Sequence, residues 1–170
     1  MIQMDVVVLI KKFTIATRAW RERIFHSIQE QGCSDLSYRP KSGMSSIGWI
    51  LAHQAAAYDY TLNMLINGKP PKNPDLFYAY RGDSSDNGDW KGTSLEEIND
   101  YFDLIENDFL TWFEQVPDEE LNRILDGPDT PQFFQGMSVL DAITHMFAHL
   151  NYHNGHLSAI KEDWCQQDKK

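Results

Sequence analysis

Four histidines fall at positions 145, 149, 153 and 156, with gaps of four, four and three residues. At about 100° per residue an α-helix gathers all four into a stripe roughly 80° wide. Only His26 and His53 lie elsewhere in the chain. Imidazole fills a core poorly, so a stripe of it on one helical face needs a partner. A metal ion is the best one available, because neutral imidazole ligates zinc, nickel, iron and copper. The competing readings are an interface and a pH-responsive stripe.

The rest of the chain also reads as helix. The first helix is placed from about Asp5, as N-cap, to Gln31, with Gly32 as C-cap. Its apolar residues Leu9, Phe13, Ala16, Trp20, Ile24 and Ile28 recur at three and four. The second starts after Ser45-Ser46 and ends near Ile66, before Asn67-Gly68 and Pro70-Pro71. The third opens on the capping-box pattern Ser94 to Glu97 and runs to about Gln115, before Pro117. The fourth opens at Ser138 with Asp141 in its first turn and runs to about Trp164. No segment sustains an alternation of period two. The fold class is all-α, a four-helix bundle with long crossover loops, and residues 1–170 are read as one domain.

Two connections are long. Residues 69–93 read as structureless, yet they contain Phe77, Tyr78, Tyr80 and Trp90, so this loop is expected to pack over one end of the bundle. The second loop, from Ile124 to Met137, carries Pro128, Pro131, Phe133 and Phe134. Asp83, Asp86 and Asp89 sketch a calcium loop, but the twelfth position is Ser94 rather than Glu, and a solvated turn is the better reading.

With 25 acidic against 15 basic residues, the net charge is −10. Nucleic acid and anionic membrane are therefore poor partners. Cys33 and Cys165 are too few for a disulfide framework and read as reduced thiols. The apolar run from Val6 to Ile10 is too short for a secretory segment, and nothing approaches a membrane span. A soluble, cytoplasmic protein is expected, with a small-molecule substrate and assembly as a homodimer.

Along the fourth helix, His145 and His153 stand about 12 Å apart, too far for one ion to hold both. The pairs His145/His149, His149/His153 and His153/His156 all remain open by spacing. His53 is the natural third ligand, since it sits among apolar residues where an unpaired imidazole would be costly to bury. Tyr60, two turns further on, shares its face and could donate to a ligand. Gly155 in mid-helix suggests close approach of another backbone. Trp49 reads as core and His26 as surface. Glu106 and Asp103 could supply a base, but nothing places them near the histidines. No residue stands out as catalytic.

The segment Ser46-Ile47-Gly48-Trp49-Ile50-Leu51-Ala52-His53, followed far downstream by His145, His149, Tyr152, His153 and Gly155, resembles the DinB/YfiT-like superfamily. The likeness runs in order over nearly the whole chain. It implies a four-helix bundle with a divalent metal on one histidine of the second helix and two of the last. Matched by motif, the ligands are His53, His149 and His153. His145, His156 and Tyr60 then stand behind them. Zinc, nickel, iron and manganese all suit such a set. Relatives that are thiol S-transferases imply a transferase joining a low-molecular-weight thiol, such as bacillithiol or mycothiol, to an electrophile. A metal-dependent hydrolase and a non-enzymatic stress or dimerisation protein are the alternatives. The chain departs from the family's frequent His-Arg-Gly-Gln, reading His153-Asn154-Gly155-His156, which weakens any carry-over of anion recognition.

Overall fold

A computed structural model describes residues 6–30, 35–39, 44–82 and 88–167, with side chains as far as residue 161. The helices are α1 (Val6–Glu30), α2 (Ile47–Asp59, continuing as a π-helix over Tyr60–Ile66), α3 (Pro74–Tyr80), α4 (Leu95–Phe113), α5 (Asp118–Leu121) and α6 (Val139–Gln167). The described residues contain no strand, only an isolated antiparallel bridge between Ile124 and Ser138. α2 packs against α3, α4 and α6, and α1 packs against α6 and α4.

The helix starts follow local chemistry. Ser46 Oγ accepts from Trp49 N at 3.3 Å. Ser94 and Glu97 form the expected reciprocal box. Ser138 and Asp141 form another: Ser138 N donates to the Asp141 carboxylate and Asp141 N to Ser138 Oγ, both at 3.0 Å. Each satisfies amides that a first turn leaves without partners. The proposed ends of α1 at Asp5, Gln31 and Gly32 lie outside the described residues. So do most of the calcium-like loop, Cys33, and the side chains of Trp164 and Cys165.

The inner face of α1 differs from the apolar stripe expected for it. Phe13 and Trp20 are about half exposed, and Ala16 is exposed. The buried line is Ile10, Thr14, Thr17, Arg21, Ile24, Phe25 and Ile28. Its polar members find partners inside the bundle, apart from Arg21 Nε. Thr14 Oγ1 donates to the Ile10 carbonyl, and Thr17 Oγ1 accepts from Asn151 Nδ2 of α6, both at 3.0 Å. The Arg21 guanidinium meets the Glu106 carboxylate of α4 and lies 4.3 Å from the centre of the Phe102 ring. Arg18 Nε donates to the same carboxylate at 2.6 Å. The buried Glu106 carboxylate is thus enclosed between two arginines of α1.

Residues 69–93 are not structureless. Asn73 Oδ1 caps the amide of Leu76, Pro74 takes the first turn, and α3 follows. Phe77 and Tyr80 are buried while Tyr78 is exposed, so the aromatics of this segment divide between core and surface. The Tyr80 hydroxyl donates to Thr93 Oγ1 at 2.8 Å and accepts from Lys91 N at 3.1 Å, which closes the crossover on itself. Gly155 does not admit a neighbouring backbone: a Cβ there would meet nothing within 4 Å.

Removing one partner of a buried ion pair strands the other charge, at a cost of about 3–5 kcal/mol. Glu106→Ala should therefore lower the unfolding free energy by that amount. Glu114→Ala, which breaks the exposed pair with Lys11 (2.8 Å), should cost under about 1 kcal/mol. Urea unfolding of the two variants checks the contrast; equal losses would contradict it.

Candidate metal centre

The site is built where α2 and α6 face each other, with the C-terminal end of α3 beside them. His53 lies mid-way along α2. Its ring stacks on Trp49 one turn earlier, with centroids 4.4 Å apart and planes 11° from parallel. Its Nδ1 lies 2.8 Å from the Tyr80 carbonyl. A carbonyl only accepts, so Nδ1 carries the proton and Nε2 keeps its lone pair. Gly82 has φ +67°, and a Cβ on it would come within 2.9 Å of His53 Cε1. The chain thus turns against the imidazole at the one residue type that fits.

α6 brings the other two rings. His149 and His153 are one turn apart, with centroids separated by 4.5 Å. Their centroids lie 5.3 Å and 5.2 Å from that of His53. His149 Nε2 is 3.3 Å from His53 Nε2. A tetrahedral ion with nitrogens at about 2.0–2.1 Å holds them about 3.3–3.4 Å from each other. One nitrogen from each of the three rings falls within a set whose members all lie within 4.8 Å of one another, so the group could hold a metal ion. His153 Nδ1 is buried and has no hydrogen-bond partner in the protein. The residues present therefore fit a divalent ion.

Burial, then mutual repulsion with the neighbouring histidines, pushes His149 down to about 4 and His153 down to about 3. Both are neutral near pH 7, the protonation state in which imidazole ligates.

The other candidates stand apart. His145 is 6.4 Å from His149 by ring centroid and packs on Phe133 at 4.8 Å. His156 packs beside Tyr152 at 6.3 Å. The pairs His145/His149 and His153/His156 are thus not the ones that converge with His53. Tyr60 lines the adjoining cavity and tilts against Phe134 at 6.2 Å, with no hydrogen bond to any of the three histidines. His26 is on the surface, 3.1 Å from Glu30. Asp103 and Glu106 face the arginines of α1.

A cavity of about 500 Å³ opens against this centre. His53 and His149 form one part of its wall. Phe77 comes from α3, and Pro131, Phe133 and Phe134 come from the loop before α6. That loop is held by Leu125 N to the Met137 carbonyl at 2.8 Å and Gly136 N to the Leu125 carbonyl at 3.0 Å.

Residues 16–157 match the family model of the DinB superfamily. The chain belongs to the DinB superfamily. No curated protein matches the chain. The all-α architecture agrees with the DinB helical bundle, and the histidines that the motif singles out are the three that converge.

Several residues of this DinB site escaped the sequence reading. The Tyr80 carbonyl and Gly82 sit in a segment read as loop, although Asn73-Pro74 is itself a helix-start signal. Nothing in the sequence placed Arg81 or Phe134 at the cavity.

Neutral burial of His149 and His153 carries a pH dependence. The folded state takes up their protons only near pH 4 and pH 3, the unfolded state near pH 6.5. Between these limits the unfolded state binds more protons, so stability falls as pH drops. In metal-free protein, thermal unfolding should show this loss beginning near pH 6.5. Replacing both histidines by Asn should flatten it, and an unchanged slope in the double variant would contradict the burial of neutral rings.

Proposed function

We propose that this DinB protein is a metal-dependent transferase that joins a low-molecular-weight thiol to an electrophile. The observation that carries the reading is the chemistry of the site: three converging imidazoles, two of which, His53 and His149, stand in the wall of a largely apolar cavity that has no Asp or Glu among the described residues. A divalent ion held by neutral ligands keeps its full charge and acidifies a thiol or water bound to it.

The protein's own residues have simpler tasks. The Tyr80 carbonyl holds the His53 Nδ1 proton and so keeps Nε2 free as a ligand. Trp49 fixes the plane of that ring. Phe77, Phe133 and Phe134 exclude water from the space where thiol and electrophile would meet. His145 stands in the same wall, packed on Phe133. A hydrolase of this kind would ordinarily use a carboxylate as general base beside the ion. Among the described residues the wall offers none, and this favours transfer over hydrolysis.

Elemental analysis of untagged protein, paired with conjugation of monochlorobimane to a panel of low-molecular-weight thiols, tests the proposal. Wild type should carry one ion per chain and conjugate at least one thiol. His149→Ala and His153→Ala should lose both properties, because two imidazoles remain. His26→Ala should keep them. His145→Ala should weaken metal binding by no more than about 10–100-fold. Full metal retention in His149→Ala would overturn the ligand set. Turnover of a nitrophenyl ester without thiol, and no conjugation, would make the protein a hydrolase.

A further inference from the structure

Among the described residues, Arg81 is the one cationic side chain of fixed charge in the cavity wall. It caps the C-terminal end of α3, and its backbone amide donates to the Phe77 carbonyl at 2.8 Å. Its guanidinium lies 5.3 Å from the centre of the Tyr78 ring. Among the described residues it makes no ion pair and no side-chain hydrogen bond. In contrast, Arg18, Arg21, Arg39 and Arg123 are each committed to a carboxylate. Arg81 has no such partner among the described residues.

The cavity wall is depleted in the same sense. None of its described residues is Asp or Glu, and most of the rest is aromatic or aliphatic. Arg81 is exposed, so its charge stands on the solvent side of an otherwise largely apolar chamber, and a single charge there orients a ligand. The guanidinium is a planar fork that matches a carboxylate with two parallel N–H donors. Contact with Tyr78 through the ring face leaves the N–H edges available. The placement is also rigid at its root. Phe77 and Tyr80 are buried, and the Tyr80 carbonyl, one residue before Arg81, is the group bonded to His53. One short segment therefore sets the position of both the imidazole and the cation.

We propose that Arg81 determines substrate specificity, and that the cavity takes an amphipathic molecule with an apolar, ring-sized body and one carboxylate at its Arg81 end. This rests on the reading of the cavity as the substrate chamber of the histidine centre. Phe133, Phe134 and Phe77 would cover the apolar body. The carboxylate would anchor it with its other end toward His53 and His149.

A series of phenylalkanoates and the matching neutral amides tests this by competition against a fluorescent cavity probe such as anilinonaphthalene sulfonate. Binding is measured on wild type, Arg81→Gln and Arg81→Lys, each both metal-loaded and chelated. A charge-assisted bond gives at least about a tenfold preference for the acid at the best chain length. The preference should persist after chelation, vanish in Arg81→Gln with amide binding unchanged, and survive in part in Arg81→Lys. Equal binding of acid and amide to wild type would overturn the proposal. So would a preference that survives Arg81→Gln but disappears on chelation, which would place the carboxylate on the ion and leave the metal centre standing. Absence of any bound ion, with the Arg81-dependent preference intact, would instead remove the metal reading and keep this one.

Discussion

The hydrogen bond from His53 Nδ1 to the Tyr80 carbonyl, 2.8 Å long, joins α2 to the end of α3 and bears on the histidines of α6 as well. It selects the tautomer of the imidazole and therefore which nitrogen faces His149. It ties α3 to α2 beside the buried Phe77 and Tyr80, since a half-buried imidazole N–H without an acceptor is costly. It also fixes the chain direction at Arg81 and Gly82, which shape the cavity beside the histidines. If the carbonyl were displaced, the ring could rotate or change tautomer, and the converging set would lose one member. A short helix in a crossover connection is thus part of the site rather than a link between parts of it.

The same logic of satisfied polar groups holds the bundle together. The helix faces that meet at α1 and α4 are not simply apolar. Arg21 and Glu106 are both buried, and Arg18 completes the charge balance. On the other side of α4, the fully buried Asp59 accepts from the Tyr101 hydroxyl at 2.6 Å, from Asn63 Nδ2 at 2.7 Å and from Lys72 N at 2.8 Å. Burial, and then the neighbouring Asp59, push the Tyr101 hydroxyl far above its ordinary range, so it acts only as a donor. Asp59 is the last residue before the π-helical continuation of α2, and Asn63 lies within it. These networks specify which faces meet.

What could be read in advance was what depends on near neighbours in sequence. Ser46, Ser94 and Ser138 announce helix starts because a cap bonds within three residues. The stripe from His145 to His156 announces a helix for the same reason. The converging trio needed more than spacing, because three pairings on α6 are equivalent until His53 is placed opposite; the family resemblance supplied that choice. On the inner face of α1, Ile24 and Ile28 are buried as the spacing predicts, but Arg21 behaves as a core residue only when Glu106, 85 positions away, is beside it. Gly155 was misread because a helical glycine need not admit a neighbour, and here the surrounding space is open. α3 could have been found from Asn73-Pro74, but its short length hid it among turn residues. The π-helical turn from Tyr60 had no signal in the pattern at all.

Long-range nitrogen-15 correlation spectra of the histidine rings, recorded while zinc is titrated into metal-free protein, address the central claim most directly. The account predicts that His53 is protonated at Nδ1 before zinc is added. It predicts that His53, His149 and His153 alone acquire coordination shifts, together, and that the change is complete at one equivalent. A shift that involves His145 or His156 in place of any of the three, or a His53 ring that carries its proton on Nε2, would contradict it.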